Sequence, residues 1–383
     1  MKVPGKPRRI EIDFVRGIAI LLVMFAHFKK PFTGIGLLDG FNWVEARGGG
    51  SGVDLFFVLS GFLVGGLLLK EYRDTHSVQP IRFLVRRAFK IWPAYYFLIL
   101  FHVVTRRHPL NSFLWQNFFH LQNYFGSSIK QSWTLSVEEH FYTLLALILG
   151  GVAVRAWSPS RILKLLVGIS CLAMLARCIT SFLGNTVGAL TWTQNRIDSL
   201  LFGVMIALLF YFMPETYAKI SSKFWLLAGV SAFGVLFTLL VPDPEFFYGP
   251  GLTVLYISCG AFLILVMEYS GKLTELWIYR IVAQIGVYSY GLYLWHSTAL
   301  EVGERILARY PSGWNAWLLA LSAQFIFAAV VAYAATRLVE WPMLYYRESI
   351  PWLRDSKPLA AASEDPGPSN PIQSHQKDLA PPV

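Results

Sequence analysis

Three ionisable residues lie within the first long apolar run of the chain: Asp13, Arg16 and His27. Arg16 and His27 are eleven positions apart, so on a helix they share one face at a separation of roughly 16 Å. Imidazole is the natural general base for a hydroxyl nucleophile near neutral pH. Because charge inside an apolar span is costly, the pair predicts a polar track through a helix bundle. The alternatives are that Arg16 only anchors the topology and that His27 only lies at the membrane interface.

A cationic cluster begins the third apolar run. Arg86 and Lys90 are four positions apart and Arg87 and Lys90 are three apart, so a helix places their charges on one face. Such a face could bind the phosphates of a nucleotide-containing ligand. The alternative is that these charges only set the orientation of the helix in the membrane.

The segment 132–142 combines hydroxyl, carboxylate and aromatic residues. Ser136 and Glu139 have the spacing of a capping box, which predicts that the fourth span starts there. Glu138 is then left without a structural role at the outer edge of the membrane, the level expected for His27. A carboxylate at that level would orient or assist the imidazole, as the third member of a catalytic triad does.

Polar residues also occur in later apolar runs. Asp198 either pairs with Arg196 or occupies the first turn of a helix, where negative charge is favoured. His296 is either a hydrogen-bonded core residue or part of the site. Aromatic residues between the third and fourth runs suit the headgroup region or a sugar-binding platform; they are Trp115, Phe118, Phe119, Tyr124 and Trp133.

The composition indicates a membrane protein. Of the 383 residues, 55% are hydrophobic and 15% are charged, whereas soluble domains contain about 25% charged residues. Apolar runs of nearly 20 residues match the roughly 30 Å of hydrocarbon that a helix must cross. We therefore expect an all-α, polytopic bundle of about ten spans, near residues 12–28, 53–70, 88–104, 136–152, 161–182, 197–213, 223–241, 251–268, 284–303 and 314–335.

The distribution of Lys and Arg predicts the orientation and the domain limits. Basic residues are concentrated in alternate connecting segments, which places both termini in the cytoplasm. Residues 1–352 are expected to form the transmembrane domain. Residues 353–383, which are rich in Pro and polar side chains, are expected to form a disordered cytoplasmic tail.

Two classes of function are disfavoured. The net charge of +10 is spread over connecting segments and forms no basic stripe with interleaved aromatics, so no nucleic-acid partner is expected. The three cysteines lack the spacing of metal ligands, and no metal site is predicted.

Taken together and in order, these motifs resemble the acyltransferase-3 family of membrane acyltransferases. The resemblance covers residues 9–346. It is carried by Arg16 with His27, Gly52–Gly61, Arg86–Tyr95, Ser132–Tyr142, Arg196–Gly203, Ser289–His296 and Glu340–Pro342. Each motif is weak alone, and their joint order is specific.

The resemblance implies an acyl-CoA-dependent O-acyltransferase in the bacterial inner or plasma membrane. The donor would be cytoplasmic acetyl-CoA or another acyl-CoA, and the acceptor a hydroxyl of a carbohydrate or glycan. His27, Glu138 and Arg16 are expected to be catalytic, and the donor is expected to bind to Arg16, Arg86, Arg87 and Lys90. Candidate substrate-binding residues are Asp13, Trp133, Tyr142, Arg196, Asp198 and His296. An assembly of several copies of the chain is compatible with the sequence.

The sequence departs from the family pattern at two positions. Lys90 replaces an arginine, which keeps the charge and loses bidentate phosphate geometry, and His140 replaces a glutamine. The main alternative function is a transporter that uses the same polar track without covalent chemistry. A more distant alternative is a sensor or assembly component that has lost its activity.

Overall fold

The computed structural model describes residues 9–105, 110–126 and 129–353. Within these ranges every regular element is helical, as the composition predicts. The helices are α1 Ile10–His27, α2 Gly36–Gly48, α3 Ser51–Thr75, α4 Pro80–Val104, α5 Leu110–Phe118, α6 Gln122–Phe125, α7 Trp133–Val154, α8 Pro159–Phe182, α9 Thr186–Thr191, α10 Ile197–Phe212, α11 Pro214–Ser221, α12 Phe224–Leu240, α13 Pro244–Phe246, α14 Leu252–Tyr269, α15 Trp277–Val287, α16 Ser289–Arg309, α17 Trp314–Ala335 and α18 Trp341–Ser349.

Several helices are long and apolar enough to cross a membrane. Five satisfy both criteria in the described ranges, and a sixth span is formed if α10 and α11, which are bent by 115°, count as one. The five are Ser51–Thr75, Trp133–Val154, Pro159–Phe182, Pro244–Tyr269 and Trp314–Ser349. Every predicted span overlaps a helix, but the total of ten spans and the cytoplasmic termini stay predictions.

Two expectations about element boundaries are wrong, and a third is not tested. The predicted span 284–303 is interrupted at Tyr288, between α15 and α16. The predicted capping box is also absent, because α7 begins at Trp133 and Ser136 lies buried inside it, with no hydrogen-bond partner for its hydroxyl among the described residues. The predicted disordered tail lies, apart from Leu353, outside the described residues.

Helices α3 and α10 approach each other closely through glycines. A Cβ atom on Gly61 would lie 1.8 Å from the carbonyl oxygen of Leu200, and one on Gly203 would lie 2.0 Å from that of Val58. Small residues allow such backbone contact between helices where lipid gives no hydrophobic driving force for association. The same contact fixes the depth of α3 in the bundle.

Helix α1 is held in the same way. A Cβ atom on Gly286 of α15 would lie 1.8 Å from the carbonyl oxygen of Asp13, and one on Gly49 would lie 1.9 Å from Cβ of Ala26. Gly49, which follows α2, therefore allows close packing against α1. Both contacts restrict the position of α1, which carries Arg16 and His27.

Candidate active site

A cavity of about 200 Å³ is lined by residues of α1, α3, α4, α7, α15, α16 and α18, together with Glu340. Apolar side chains form most of its wall. The charged residues that line it are three cations and two carboxylates: Arg16, Arg87, Lys90, Glu138 and Glu340. The cations come from two helices that are far apart in the sequence, so the bundle brings together two of the motifs that the sequence analysis treated separately.

Arg87 is held in the cavity by Tyr142. Its guanidinium lies 4.5 Å from the ring centre of Tyr142, and its Nη2 donates to the Tyr142 hydroxyl at 2.8 Å. That hydroxyl also bonds Ser60 at 2.6 Å. Glu138 interacts with the charge of Arg87, and it also interacts with the side chains of Tyr142 and Ser60. The cluster presents a guanidinium in one fixed orientation, which favours recognition of an anion.

Arg16 lines the cavity and forms an ion pair with Asp13. Its Nη1 lies 3.3 Å from Oδ1 of Asp13, one helical turn away, and Asp13 is buried. Asp13 does not itself line the cavity. Asp13 thus holds the guanidinium of Arg16, and its predicted role in substrate binding stays a prediction.

Arg86 does not line the cavity, although it was predicted to bind the donor. Its guanidinium donates to the carbonyl oxygen of Leu353 and lies 3.6 Å from a carboxylate oxygen of Glu348. Helical spacing alone placed Arg86 on the same face as Lys90. Helix α18 and the residues after it pack against this part of α4, and they offer the carboxylate of Glu348 and the carbonyl of Leu353 that draw the Arg86 side chain away.

His27 and His296 lie together, apart from the cavity lining. Their ring centres are 5.2 Å apart. Nδ1 of His27 contacts the carbonyl oxygen of Val23 at 2.7 Å, and Nδ1 of His296 contacts that of Tyr293 at 2.8 Å. The sequence placed these residues in motifs 269 positions apart and did not predict that their rings would meet.

Tyr293 forms the wall between the cavity and the two histidines. It lines the cavity, and its ring centre lies 5.6 Å from that of His296. Its hydroxyl donates to the carbonyl oxygen of Gln131 at 2.9 Å and bonds Thr134 at 2.6 Å. The site thus has two parts, a cationic cavity and a histidine pair, which this tyrosine joins.

Glu138 belongs to the cavity and not to the histidine pair. It lines the cavity with Arg87, whereas His27 is outside the lining residues. The prediction that Glu138 supports His27 stays a prediction. Because α7 begins about one turn earlier than the capping box implied, Glu138 lies inside the helix and not in its first turn.

Arg196 and Asp198 do not pair with each other. Arg196 Nη2 donates to Oδ1 of Asp54 at 2.6 Å, and Arg177 Nη1 donates to Oδ2 of Asp198 at 2.5 Å. Both arginine side chains have 0% of their surface exposed. These two pairs connect α10, or the residue preceding it, to α3 and α8, so they support the bundle. The substrate-binding roles of Arg196 and Asp198 stay predictions.

Trp133 and Tyr142 differ in their relation to the cavity. The Trp133 ring meets Phe57 edge to face at 6.0 Å, and Phe57 in turn lies against the guanidinium of Arg196. Trp133 therefore packs around the buried pair. Tyr142 is buried and reaches the site through Arg87.

Sequence reasoning missed several residues of these clusters. Asp54, Ser60 and Arg177 all lie in apolar runs and carried the same signal, polarity inside a span, that identified Arg16. The role of Tyr293 had no such signal, because tyrosine is common in apolar segments.

Electrostatic pairing also organises the segment that follows His27. Lys30 pairs with Glu45 of α2, and Lys29 lies 3.5 Å from Glu304. Burial raises the pKa of Glu45, and the charge of Lys30 opposes that shift. In the part of the chain that the structure describes, no group of three or more His, Cys, Asp or Glu residues is arranged to hold a metal ion.

These features define a multi-pass helical membrane protein with a cationic internal cavity. The acyltransferase domain family matches residues 9–337, and the chain belongs to this family. The family predicted from the motifs is confirmed.

Two relatives illustrate the similarity. The chain is 27% identical over 360 residues to the peptidoglycan O-acetyltransferase OatA of Listeria monocytogenes, covering 87% of this chain and 55% of that protein. It is 26% identical over 313 residues to the O-acetyltransferase OatA of Staphylococcus aureus, covering 74% and 49%. The chain thus spans about half the length of these relatives. No solved structure matches.

Proposed function

We propose that this protein is a membrane O-acetyltransferase. It would move an acetyl group from acetyl-CoA, supplied from the cytoplasm, to a hydroxyl of a glycan such as peptidoglycan. The observation that carries the proposal is the cationic cavity of Arg16, Arg87 and Lys90 beside a histidine pair. The names of the relatives support the acetyl group and the glycan acceptor.

The donor would bind through the cations of the cavity. Arg87 is oriented by Tyr142, and Lys90 adds a point charge that suits a phosphate without fixing its direction. The volume of about 200 Å³ is smaller than the ~300–1,000 Å³ of typical ligand pockets. The cavity would therefore take one end of the donor, with the rest of the molecule outside it. Glu138 would orient Arg87. Its position in the sequence had suggested a different role, the support of His27.

His27 would act as the general base. Its Nδ1 is occupied by the carbonyl of Val23, so Nε2 is the nitrogen left for chemistry. Nε2 takes the proton of the acceptor hydroxyl while the oxygen attacks the thioester carbonyl carbon. The C–S bond breaks, and the leaving thiolate takes the proton back from the imidazolium. The reaction yields the acetyl ester and free CoA.

The test is acetyl transfer by the purified protein in lipid nanodiscs. With labelled acetyl-CoA and soluble peptidoglycan fragments, we expect release of free CoA and labelled glycan. His27→Ala should lower kcat by roughly 10²–10⁴-fold, the usual contribution of a general base. Cys171→Ser, at an exposed position of α8, is the matched control and should leave turnover unchanged.

Two results would contradict the proposal. Wild-type turnover by the His27→Ala variant would show that His27 is not the general base. Movement of glycan across vesicles with no consumption of acetyl-CoA would instead establish the transporter, the rival function.

A further inference from the structure

A buried glutamine holds the chain two residues after His27. Gln324, on α17, is fully buried. Its Oε1 accepts from the backbone N–H of Lys29 at 3.0 Å, and its Nε2 donates to the carbonyl oxygen of the same residue at 2.9 Å. Nε2 also donates to the carbonyl oxygen of Ala320 at 2.9 Å. The carboxamide therefore uses both of its N–H donors and its oxygen acceptor.

The two bonds to Lys29 fix its backbone in position and in direction. One carboxamide pairs with the N–H and the C=O of a single residue, as the backbone of a neighbouring strand does in an antiparallel sheet. The side chain of Lys29 adds little to this hold, because it is half-exposed and so is its ion-pair partner Glu304. Gln324 is thus the group that ties the Lys29 backbone to α17.

A glycine on α16 leaves room for this carboxamide. A Cβ atom on Gly303 would lie 2.5 Å from Cδ, 2.6 Å from Oε1 and 2.7 Å from Nε2 of Gln324. The same helix carries His296, whose ring centre lies 5.2 Å from that of His27. The carboxamide therefore connects the end of α1 to α17 and packs directly against the helix that faces His27.

We propose that Gln324 is a positioning residue: by holding the backbone of Lys29 it fixes the last turn of α1 and hence the imidazole of His27. The inference rests on the proposed role of His27 as general base and extends it. His27 is the last residue of α1, and helix ends fray unless the chain beyond them is held. A general base that shifts by about 1 Å can lose roughly 10²-fold in rate.

The first test is Gln324→Met, which keeps the length of the side chain and removes its three hydrogen bonds. We expect kcat to fall by about ten- to a hundredfold, because the base is misplaced. KM for acetyl-CoA should stay unchanged, since neither Gln324 nor Lys29 lines the cationic cavity. A wild-type kcat, or a loss confined to KM for acetyl-CoA, would overturn the proposal.

Gly303→Ala tests the same contact from the other side. Its methyl group would take the place of the carboxamide, so kcat should fall as in Gln324→Met. In a Gln324→Ala background the methyl group has room, and adding Gly303→Ala should cost no further kcat. Losses of kcat that simply multiply in the double variant would show that the two residues act separately and would overturn the proposal.

Gly234→Ala is the matched control for lost stability. A Cβ atom there would lie 2.3 Å from Cβ of Ser258, between α12 and α14, and no residue of these two helices lines the cavity. The substitution should lower the melting temperature at least as much as Gly303→Ala and leave kcat of the folded protein unchanged. An equal loss of kcat in Gly234→Ala would mean that destabilisation alone explains the effect, which would overturn the positioning role.

Hydrogen exchange makes the inference independent of turnover. In nanodiscs the Lys29 N–H should exchange at least about tenfold faster in Gln324→Met than in the wild type, because local opening no longer breaks the bond to Oε1. Equal exchange rates would overturn the proposed hold even if acetyl transfer is observed. Slow exchange in a wild-type protein that transfers no acetyl group would instead overturn the proposed function, and would reduce the contact of Gln324 with Lys29 to a structural one.

Discussion

Arg86 and Arg87 are neighbours in sequence with opposite surroundings. Arg87 faces the cavity and is fixed by Tyr142, whereas Arg86 is tied to Leu353 and Glu348 at the end of the described chain. This pair allows the donor site to be tested with a built-in control, because the same substitution can be made at both positions.

Arg87→Lys should raise KM for acetyl-CoA by roughly tenfold with a smaller change in kcat. The lysine keeps the charge but loses the planar set of donors with which a guanidinium can bond Tyr142 and an anion at the same time. Arg86→Lys should leave KM close to that of the wild type, because the Arg86 side chain does not line the cavity. The measurement is initial velocity against acetyl-CoA concentration in nanodiscs. A larger KM effect at Arg86 than at Arg87 would show that the donor binds elsewhere.

At the scale of the elements, glycines decide how closely the helices approach. The contact of α3 with α10 at Gly61 has no room for a side chain, whereas Gly168 on α8 is surrounded by open space. The two glycines thus provide a crowded and an uncrowded site for the same substitution.

Gly61→Ala should destabilise the protein by about 1–3 kcal/mol, because its methyl group would force α3 and α10 apart. Gly168→Ala should be neutral or stabilise by up to about 1 kcal/mol, since alanine favours the helix. Melting of the purified proteins in detergent provides the comparison. Equal melting temperatures for Gly61→Ala and Gly168→Ala would mean that the close contact does not limit stability.

On the scale of the whole molecule, buried ion pairs join distant segments. The pair of Asp54 and Arg196 connects α3 to the start of α10, and Arg177 with Asp198 connects α8 to α10. Such pairs contribute less to net stability than their geometry suggests, because both ions lose their hydration. Removal of one partner is costly because it leaves the other buried and uncompensated.

A double-mutant cycle at Asp54 and Arg196 tests this role. Asp54→Val and Arg196→Met should each destabilise by about 3–5 kcal/mol, and the double variant by less than the sum of the two. If the pair is purely structural, the double variant should also recover acetyl transfer along with its melting temperature. A double variant that is stable but inactive would support the predicted role of Arg196 in substrate binding.

The sequence by itself determined the fold class and the family. Long apolar runs can be satisfied only by helices in a membrane, where every backbone polar group must be bonded internally. Polar residues inside those runs identified Arg16, His27, Arg87 and Lys90, since burying them without a purpose would be costly.

Only the tertiary structure decided which of these residues meet. Helical spacing gives the face on which a residue lies and not the neighbour that the face contacts, so Glu138 was assigned to His27 but lines the cavity with Arg87. A long side chain can also adopt several rotamers, and that of Arg86 turns away from the cavity toward Leu353. The contact of His27 with His296 depends on the packing of α1 near α16, across most of the chain length. Local sequence fixes helices and their faces, whereas the choice of partner depends on packing between helices far apart in the chain.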